Sequence, residues 1–168
     1  MLFSCSNDIK EVEKYIDIKD NVNMYGKDIK LVYSDSLIVR YKLNAKEYIE
    51  QINDKKIERV FPKGVFIRIF DNKGDFSASI KADIAKYNPI NKVWRLSNNV
   101  TIITSDGDTI KTEEMFWDHK NSKIYGNKYV RITHKDGNYI EGNDGFFANE
   151  SNLENAEIIG EIKGKFEI

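Results

Sequence analysis

A repeat of thirty residues constrains this sequence more than any other feature. Three consecutive blocks align without gaps, from Ser79 to Asp108, from Thr109 to Asn138 and from Tyr139 to Ile168. A fixed period of this kind indicates stacked supersecondary units, each of which buries an apolar face against its neighbour. The positions that coincide are Ile80 with Ile110 and Ile140, Val100 with Val130, Ile102 with Ile132 and Ile162, and Asp106-Gly107 with Asp136-Gly137.

Each block predicts a strand, a polar turn, a second strand and a second turn. Asp-Gly between alternating apolar residues indicates a hairpin, and the polar clusters at 88–91 and 119–122 indicate turns. A longer copy precedes the three blocks, at about 43–78, and a half copy lies at 22–37. The third block loses its register near the end, so we expect its strands to be shifted there by a few residues.

The residue composition supports a β protein. The chain has 23 Ile and 9 Val against 6 Ala and 6 Leu, with 9 Tyr and 9 Phe. β-branched and aromatic side chains pack well on pleated sheets, whereas Ala and Leu are the better helix formers. The net charge of -1, with both signs interspersed, argues against a nucleic-acid-binding face. We therefore predict an all-β fold, a twisted open jellyroll of stacked strand-turn-strand units.

Two stretches also fit a helix. Residues 45–52 carry apolar side chains at helical spacing, but the repeat places a strand there, and we follow the repeat. Residues 9–16 fit a short amphipathic helix or a tether. We predict a leader and tether at 1–20 and one β domain at 21–168.

The sequence carries no catalytic constellation. His119 and His134 lie in or beside predicted turns without a Cys/His cluster, so we interpret them as solvated turn residues and predict no metal site. Glu113 and Glu114 are adjacent, and adjacent strand residues point to opposite faces. We therefore predict a protein that is not an enzyme and needs no cofactor.

The apolar residues of the stack favour a lipid-binding slot between two sheets. Most of them must form an ordinary core, but a sandwich lined with Ile, Val and Phe and open along one side could receive an acyl chain. Each buried methylene contributes roughly 0.8 kcal/mol to such binding. The repeat-equivalent residues Ile102, Val130 and Ile132 are predicted to line this slot or the core.

The C-terminal residues 160–168 predict an unpaired edge strand. Such an edge binds another β stack by strand addition. Alternatively, Lys163 and Lys165 protect the edge against pairing.

The only cysteine of the chain, Cys5, follows Leu2-Phe3-Ser4. A single thiol cannot form a disulfide framework within the chain. An apolar residue, a small residue and then Cys is how a bacterial lipoprotein signal ends, although Phe3 is bulky and the preceding segment is short. We predict lipidation of Cys5, with an ordinary exposed thiol as the alternative.

Taken in order, five segments resemble the LptC family of lipopolysaccharide export proteins and, more broadly, the OstA-like β-jellyroll superfamily. They cover residues 30–168 and carry structural repeats in place of a catalytic signature. The leader SCSND resembles lipoprotein-type members. The segments are LVYSDSLIVRYKLNAKEY, FPKGVFIRIFDNKG, SIKADIAKYNPINKVWRLSNNVTI, IKTEEMFWDHKNSKIYGNKYVRI and IEGNDGFFANESNLENAEI.

The resemblance implies a periplasmic protein anchored to the inner membrane by its N-terminus. It implies that the N-terminal edge of the jellyroll joins the ABC permease complex LptB-LptF-LptG and that the C-terminal edge pairs with an LptA-like bridge protein. Lipopolysaccharide would pass with its lipid A acyl chains inside the slot, and another subunit would hydrolyse ATP. The family usually carries a transmembrane helix, from which this sequence departs by offering a lipobox.

The resemblance also implies roles for particular residues. Phe61, Ala156 and Phe166 match positions that face the slot, and Gly126 matches a glycine whose replacement by a large side chain should spoil assembly. The LptA-like partner would bind an edge made of Gly160, Ile162, Gly164, Phe166 and Ile168. Two alternatives stay open: a surface lipoprotein that binds glycans or host protein through exposed Tyr and Trp, and a soluble LptA-like bridge without an anchor.

Overall fold

The computed structural model describes residues 22–53, 56–150 and 152–165, and in this part the chain folds into fourteen antiparallel strands. Residues 1–20, Cys5, Phe166 and Ile168 lie outside the described residues, so the predictions for them are not addressed by the fold. The strands are β1 Val22–Asp35, β2 Ile38–Asn53, β3 Lys56–Phe61, β4 Val65–Phe70, β5 Phe76–Ala82, β6 Ile84–Asn88, β7 Val93–Thr104, β8 Thr109–Asp118, β9 Lys123–Gly126, β10 Val130–Thr133, β11 Tyr139–Gly142, β12 Phe146–Asn149, β13 Asn152–Ile158 and β14 Ile162–Lys165.

The strands form one hydrogen-bonded network that doubles over into two layers. Layer A has the order β1-β2-β4-β5-β7-β8-β10-β11-β14, and layer B has the order β1-β2-β3-β6-β7-β8-β9-β12-β13. The long strands β1, β2, β7 and β8 belong to both layers. The prediction of an all-β, jellyroll-like fold is confirmed.

The chain crosses between the layers along one side of the molecule, which we call the bend side. In β7 the crossing lies between Ser97 and Val100, where the register shifts. Asn98 and Asn99 have positive φ angles of 63° and 53° there, which Asn tolerates better than most residues. The side chain of Asn99 donates a hydrogen bond to Asp83, the single residue between β5 and β6. The opposite side of the molecule, the turn side, carries the hairpin turns of both layers.

Side chains alternate between the inside and the outside of the sandwich. In β4, Val65, Ile67 and Ile69 are buried while Phe66 and Arg68 are exposed. This period of two follows from the pleat of the strand and places one apolar set between the layers. Burial of an Ile or Val side chain contributes about 1.5–3 kcal/mol, so the interior side chains are the main source of stability.

The thirty-residue repeat of the sequence becomes a straight row of paired residues in layer A. The positions predicted to coincide, among them Ile80, Ile102 and Ile132, lie side by side on neighbouring strands. The complete row is Leu31, Leu43, Ile67, Ile80, Ile102, Ile110, Ile132 and Ile140.

The observed strands and turns also test three local predictions from the sequence. Residues 45–52 belong to the continuous strand β2, so the helical alternative is wrong and the repeat is right. The Asp-Gly hairpins are confirmed, with Gly107 and Gly137 at φ angles of 96° and 92°. Ile162 pairs with Gly142, and Gly164 takes the place beside Ile140, so the last copy is shifted by two residues, in agreement with the expected loss of register.

Candidate functional site

The space between the layers is the candidate functional site, and layer A supplies a continuous apolar wall to it. Five of the eight residues in the row are at most 1% exposed: Leu43, Ile67, Ile80, Ile102 and Ile110. No polar side chain interrupts the row from β1 to β11. The wall therefore runs across the strands, from the N-terminal hairpin toward β14.

Layer B supplies an aromatic wall that faces this row. Trp94 pairs with Trp117, and Trp117 pairs with Ile124 on the next strand. Phe61 stacks on Trp94 with 5.5 Å between the ring centroids. Both tryptophans are at most 2% exposed. The alternative of a glycan-binding surface lipoprotein expected tyrosines and tryptophans on an exposed face. The two tryptophans do not fit it, whereas Tyr33 and Tyr129 are exposed.

The two layers meet in an aromatic cluster on the turn side. Tyr41 of layer A makes an edge contact with Trp117 of layer B at 5.6 Å and stacks on His119 at 5.5 Å. Tyr33 stacks on the other side of Tyr41 at 5.0 Å. Burial raises the pKa of Tyr41 far above its ordinary value, and the neighbouring Tyr87 and Tyr33 add to this shift. The cluster closes the space between the layers at this point.

A cleft of about 600 Å³ lies in front of this aromatic cluster. Tyr33, Tyr41, Tyr87 and His119 line it together with cationic and acidic side chains from the turns of both layers. The remaining lining residues are Asp35, Arg40, Lys92, Lys120, Ser122 and Glu150. The turn side therefore offers one opening toward the space between the layers.

Polar atoms around the aromatic cluster lack partners. The Nε1 atoms of Trp94 and Trp117 and the Nε2 atom of His119 are buried without a hydrogen bond. A buried donor without a partner costs roughly 1–3 kcal/mol, so the two indole rings depend on their packing, whereas His119 also lies beside Glu150 through its Nδ1 atom.

The interpretation of His119 as a solvated turn residue is wrong. Its side chain is 18% exposed, and its Nδ1 atom lies 3.3 Å from Glu150. The ring packs on Trp117 with 4.1 Å between centroids. The sequence shows only a turn cluster at this place, and Trp117 two residues earlier was the one available sign of burial. His134, by contrast, is 38% exposed and pairs with Asp108 across two hairpin turns at 2.8 Å.

The residues predicted to line the slot lie between the layers where they are described. Phe61, Ile102, Val130 and Ile132 are buried in one core cluster, and Ala156 is half-buried against that cluster. Sequence reasoning missed Leu43 and Tyr41 as members of the same interior. Leu43 begins the longer first copy of the repeat, which was the signal that could have found it.

Gly126 lies at a close approach of two strands. A Cβ atom added there would be 2.8 Å from the carbonyl oxygen of Glu114 and 2.9 Å from Cε1 of Phe146. Backbone cannot yield as a flexible side chain can, so this position accommodates only glycine without movement.

The two ends of the stack are edge strands. At the C-terminal end β14 pairs only with β11 among the described residues, and all four of its residues are exposed. Ile162 is 53% exposed, and Gly164 lies beside Ile140. Gly160 precedes the strand with a φ of 83° in a turn against Asp144. At the N-terminal end β1 pairs only with β2 in the same described part.

Two searches of the described residues find nothing. They contain no group of three or more His, Cys, Asp or Glu side chains arranged to hold a metal ion. They also contain no helix long and apolar enough to cross a membrane.

Comparison with known protein families identifies the family of the chain. A family model described as lipopolysaccharide-assembly, LptC-related, matches residues 3–167, which is nearly the whole chain. A comparison with curated proteins finds no match.

Proposed function

Because the chain belongs to the LptC family and is therefore a periplasmic component of the lipopolysaccharide export machinery, we propose that the space between its two layers is the path of the lipid. The acyl chains of lipopolysaccharide occupy this space, while the sugars stay outside in water. The protein passes the lipid from the inner-membrane ABC transporter to an LptA-like bridge. It has no catalytic role of its own, since another subunit hydrolyses ATP.

The apolar row of layer A is the observation that carries this proposal. It extends over eight strands, from Leu31 on β1 to Ile140 on β11. Neighbouring strands lie about 4.8 Å apart, so the row is roughly 34 Å long. A core needs apolar residues but not an uninterrupted line of them from one edge of the stack to the other. A lipid that moves along the stack needs such a line.

Lipid enters and leaves from the turn side. The chain crossings close the bend side, whereas noncovalent contacts alone join the layers on the turn side. The contacts of Tyr41 with His119 and Trp117 must separate when an acyl chain lies between the layers. Each methylene that enters contributes roughly 0.8 kcal/mol, so an acyl chain offsets the loss of these contacts.

The two edges bind the neighbouring components. The edge of β14, with Gly160, Ile162 and Gly164, pairs with the LptA-like bridge by strand addition, and Phe166 and Ile168, which the sequence assigned to the same edge, lie outside the described residues. The edge of β1 joins the β domain of the permease complex LptB-LptF-LptG. Both edges expose backbone groups in the described part of the chain, which is what strand addition requires.

The anchor is Cys5. Its lipidation would hold the N-terminus at the inner membrane, in place of a transmembrane helix. Mass spectrometry of the N-terminal peptide from cell membranes tests this directly. A diacylglyceryl adduct on Cys5 supports the anchor, and a free thiol excludes it.

Photo-crosslinking in cells tests the lipid path. A photo-reactive residue at Ile132, between the layers, should give a lipopolysaccharide adduct. The matched control is Phe147, which is 37% exposed on the outer surface of layer B. An adduct at Ile132 and none at Phe147 supports the path. Equal labelling at both positions, or labelling at Phe147 alone, places the lipid outside and refutes it.

The same method tests the C-terminal edge. A photo-reactive residue at Ile162 should give a protein adduct of the size of the LptA-like bridge, because this side chain is exposed on β14. Phe147 again serves as the control. Failure at Ile162 while lipopolysaccharide still labels Ile132 would separate the partner proposal from the lipid-path proposal.

A further inference from the structure

The outer surface of layer A carries an excess of positive charge that the composition conceals. Cross-strand pairing aligns twelve outward positions of β1, β2, β4, β5, β7 and β8 in two rows. Five of the twelve are basic and none is acidic, in a chain with a net charge of -1. We call these twelve residues the basic face: Val32, Lys42, Arg68, Ser79, Ile103 and Thr109 in one row, and Lys30, Asn44, Phe66, Lys81, Thr101 and Lys111 in the other.

On the outer surface of layer B, basic residues on the central strands are paired with carboxylates. Lys86 pairs with Glu58 at 3.1 Å, and Arg95 pairs with Glu114 at 2.5 Å. On the basic face, by contrast, the lysines form no ion pair with any residue in the part of the chain that the structure describes. A carboxylate first appears in these rows at Glu141 on β11. The positive potential of layer A is therefore not cancelled locally.

Large apolar side chains are exposed among these cations. Phe66, Phe76 and Ile103 are 41%, 39% and 44% exposed. The guanidinium of Arg68 lies 5.5 Å from the ring centroid of Phe76. Aromatic and aliphatic side chains interleaved with Lys and Arg are the composition of surfaces that lie at the boundary between lipid headgroups and acyl chains.

A groove of about 880 Å³ opens beside the basic face on the bend side. Four lysines line it, together with apolar side chains and two carboxylates. The lysines are Lys30, Lys46, Lys63 and Lys81, the apolar residues are Ile29, Ala45, Val65, Phe66 and Ala82, and the carboxylates are Asp28 and Asp83. Ala45, Val65 and Ala82 belong to the interior between the layers, so the groove joins the lysines of the outer surface to an apolar wall. Of these lysines, Lys63 pairs with Glu47.

We propose that the basic face is a docking surface for a bilayer that contains anionic phospholipid. Its cations contact the phosphates, and Phe66, Phe76 and Ile103 enter the boundary between headgroups and acyl chains. An acidic protein would match the charge, but it would not account for the lysine-lined groove with an apolar floor. A single soluble anion would contact only two or three of the five cations, which are spread over five strands. The sheet twists by about 20° per strand, so its outer strands turn away from a flat bilayer. The central strands β2, β4, β5 and β7 therefore make the main contact.

Vesicle binding tests the proposal with the purified full chain carrying Cys5→Ser, so that no lipid anchor contributes. Binding to phosphatidylglycerol–phosphatidylcholine vesicles is compared with binding to phosphatidylcholine alone. Replacing Lys81 and Lys111 by Gln should weaken binding roughly 30-fold, since each surface cation contributes about 1 kcal/mol. The matched control replaces Lys86 and Lys123 of layer B by Gln and removes the same net charge.

A second pair of variants tests the apolar contribution. Phe66→Ala should weaken binding to the anionic vesicles, whereas Phe147→Ala on layer B should not, although the two rings are almost equally exposed. Added salt should weaken the binding of the parent protein. Circular dichroism and thermal melts confirm that all variants fold.

Three outcomes would overturn the proposal: no preference for anionic vesicles, equal losses in the layer A and layer B lysine variants, or binding only to lipopolysaccharide or to an acidic partner protein. Because the proposal concerns outer residues and the lipid path concerns inner ones, either can fail while the other holds.

Discussion

Tyr41 of layer A lies against His119 of layer B with 5.5 Å between ring centroids, and the rings are inclined by only 26°. This stack bridges the two layers at the side where no chain crossing joins them. Together with the edge contact of Tyr41 on Trp117, it is a contact that must open if lipid enters between the layers as proposed.

Removal of the Tyr41 hydroxyl should change how stability depends on pH. Burial raises the pKa of Tyr41 in the folded protein, whereas the unfolded chain ionises near the ordinary value of about 10. Stability from this group is therefore complete below pH of about 10 and is lost as the pH rises beyond it toward the folded pKa. Urea titrations at neutral and alkaline pH should show that Tyr41→Phe loses less stability than the parent protein. Parallel losses in the two proteins would contradict this account.

Gly126→Ala should destabilise the protein by about 1–3 kcal/mol, as expected for an extra methyl group in a tightly packed place. The added Cβ would contact the backbone oxygen of Glu114 at 2.8 Å. Gly26→Ala is the control, because the 2.7 Å contact there is with the flexible end of Ile29. Chemical denaturation measures the free energy of unfolding of both variants. A similar small cost at the two glycines would show that β9 can move away from β8.

Lys63→Met should cost more than Lys86→Met. Lys63 lies 2.5 Å from Glu47, whose side chain is 10% exposed, so the substitution leaves a largely buried carboxylate without this cation. Glu58, the partner of Lys86, is 44% exposed and remains hydrated. We expect about 1–3 kcal/mol for Lys63→Met and less than about 0.5 kcal/mol for Lys86→Met. Recovery of stability on adding Glu47→Gln would attribute the loss to the pair, and no recovery would attribute it to packing of the Lys63 stem.

Ile162→Asp should weaken assembly with the LptA-like bridge and leave folding intact. Ile162 is exposed on the edge strand β14, where a charge disfavours pairing with another sheet. Ile159→Asp is the control, since Ile159 is similarly exposed at 48% but lies before the strand. Co-purification with the bridge protein measures assembly, and a thermal melt measures folding. Equal losses of assembly would move the binding surface away from β14.

Much of the fold could be predicted because its signals are local. Coincident Ile80, Ile110 and Ile140 predicted one row, and β4, β5, β7, β8, β10 and β11 align them in that row. The Asp-Gly turns carry their own conformational preference, so they occur where the sequence places them. Even residues 45–52, which have helical spacing, form a strand because cross-strand pairing on both sides outweighs a weak local propensity.

Relationships between residues that are far apart in the chain are visible only in the tertiary structure, because they depend on how the strands pair. The sequence by itself determined the all-β class, the Asp-Gly turns and the inward-facing positions of the repeat, because the pleat and the turn chemistry act within a few residues. It could not determine that β14 pairs two residues out of the repeat, that His119 is covered by Tyr41, or that five cations share one outer surface. Those relationships join residues far apart in the chain, and their positions follow only from the register in which the strands pair and from the doubling of the network into two layers.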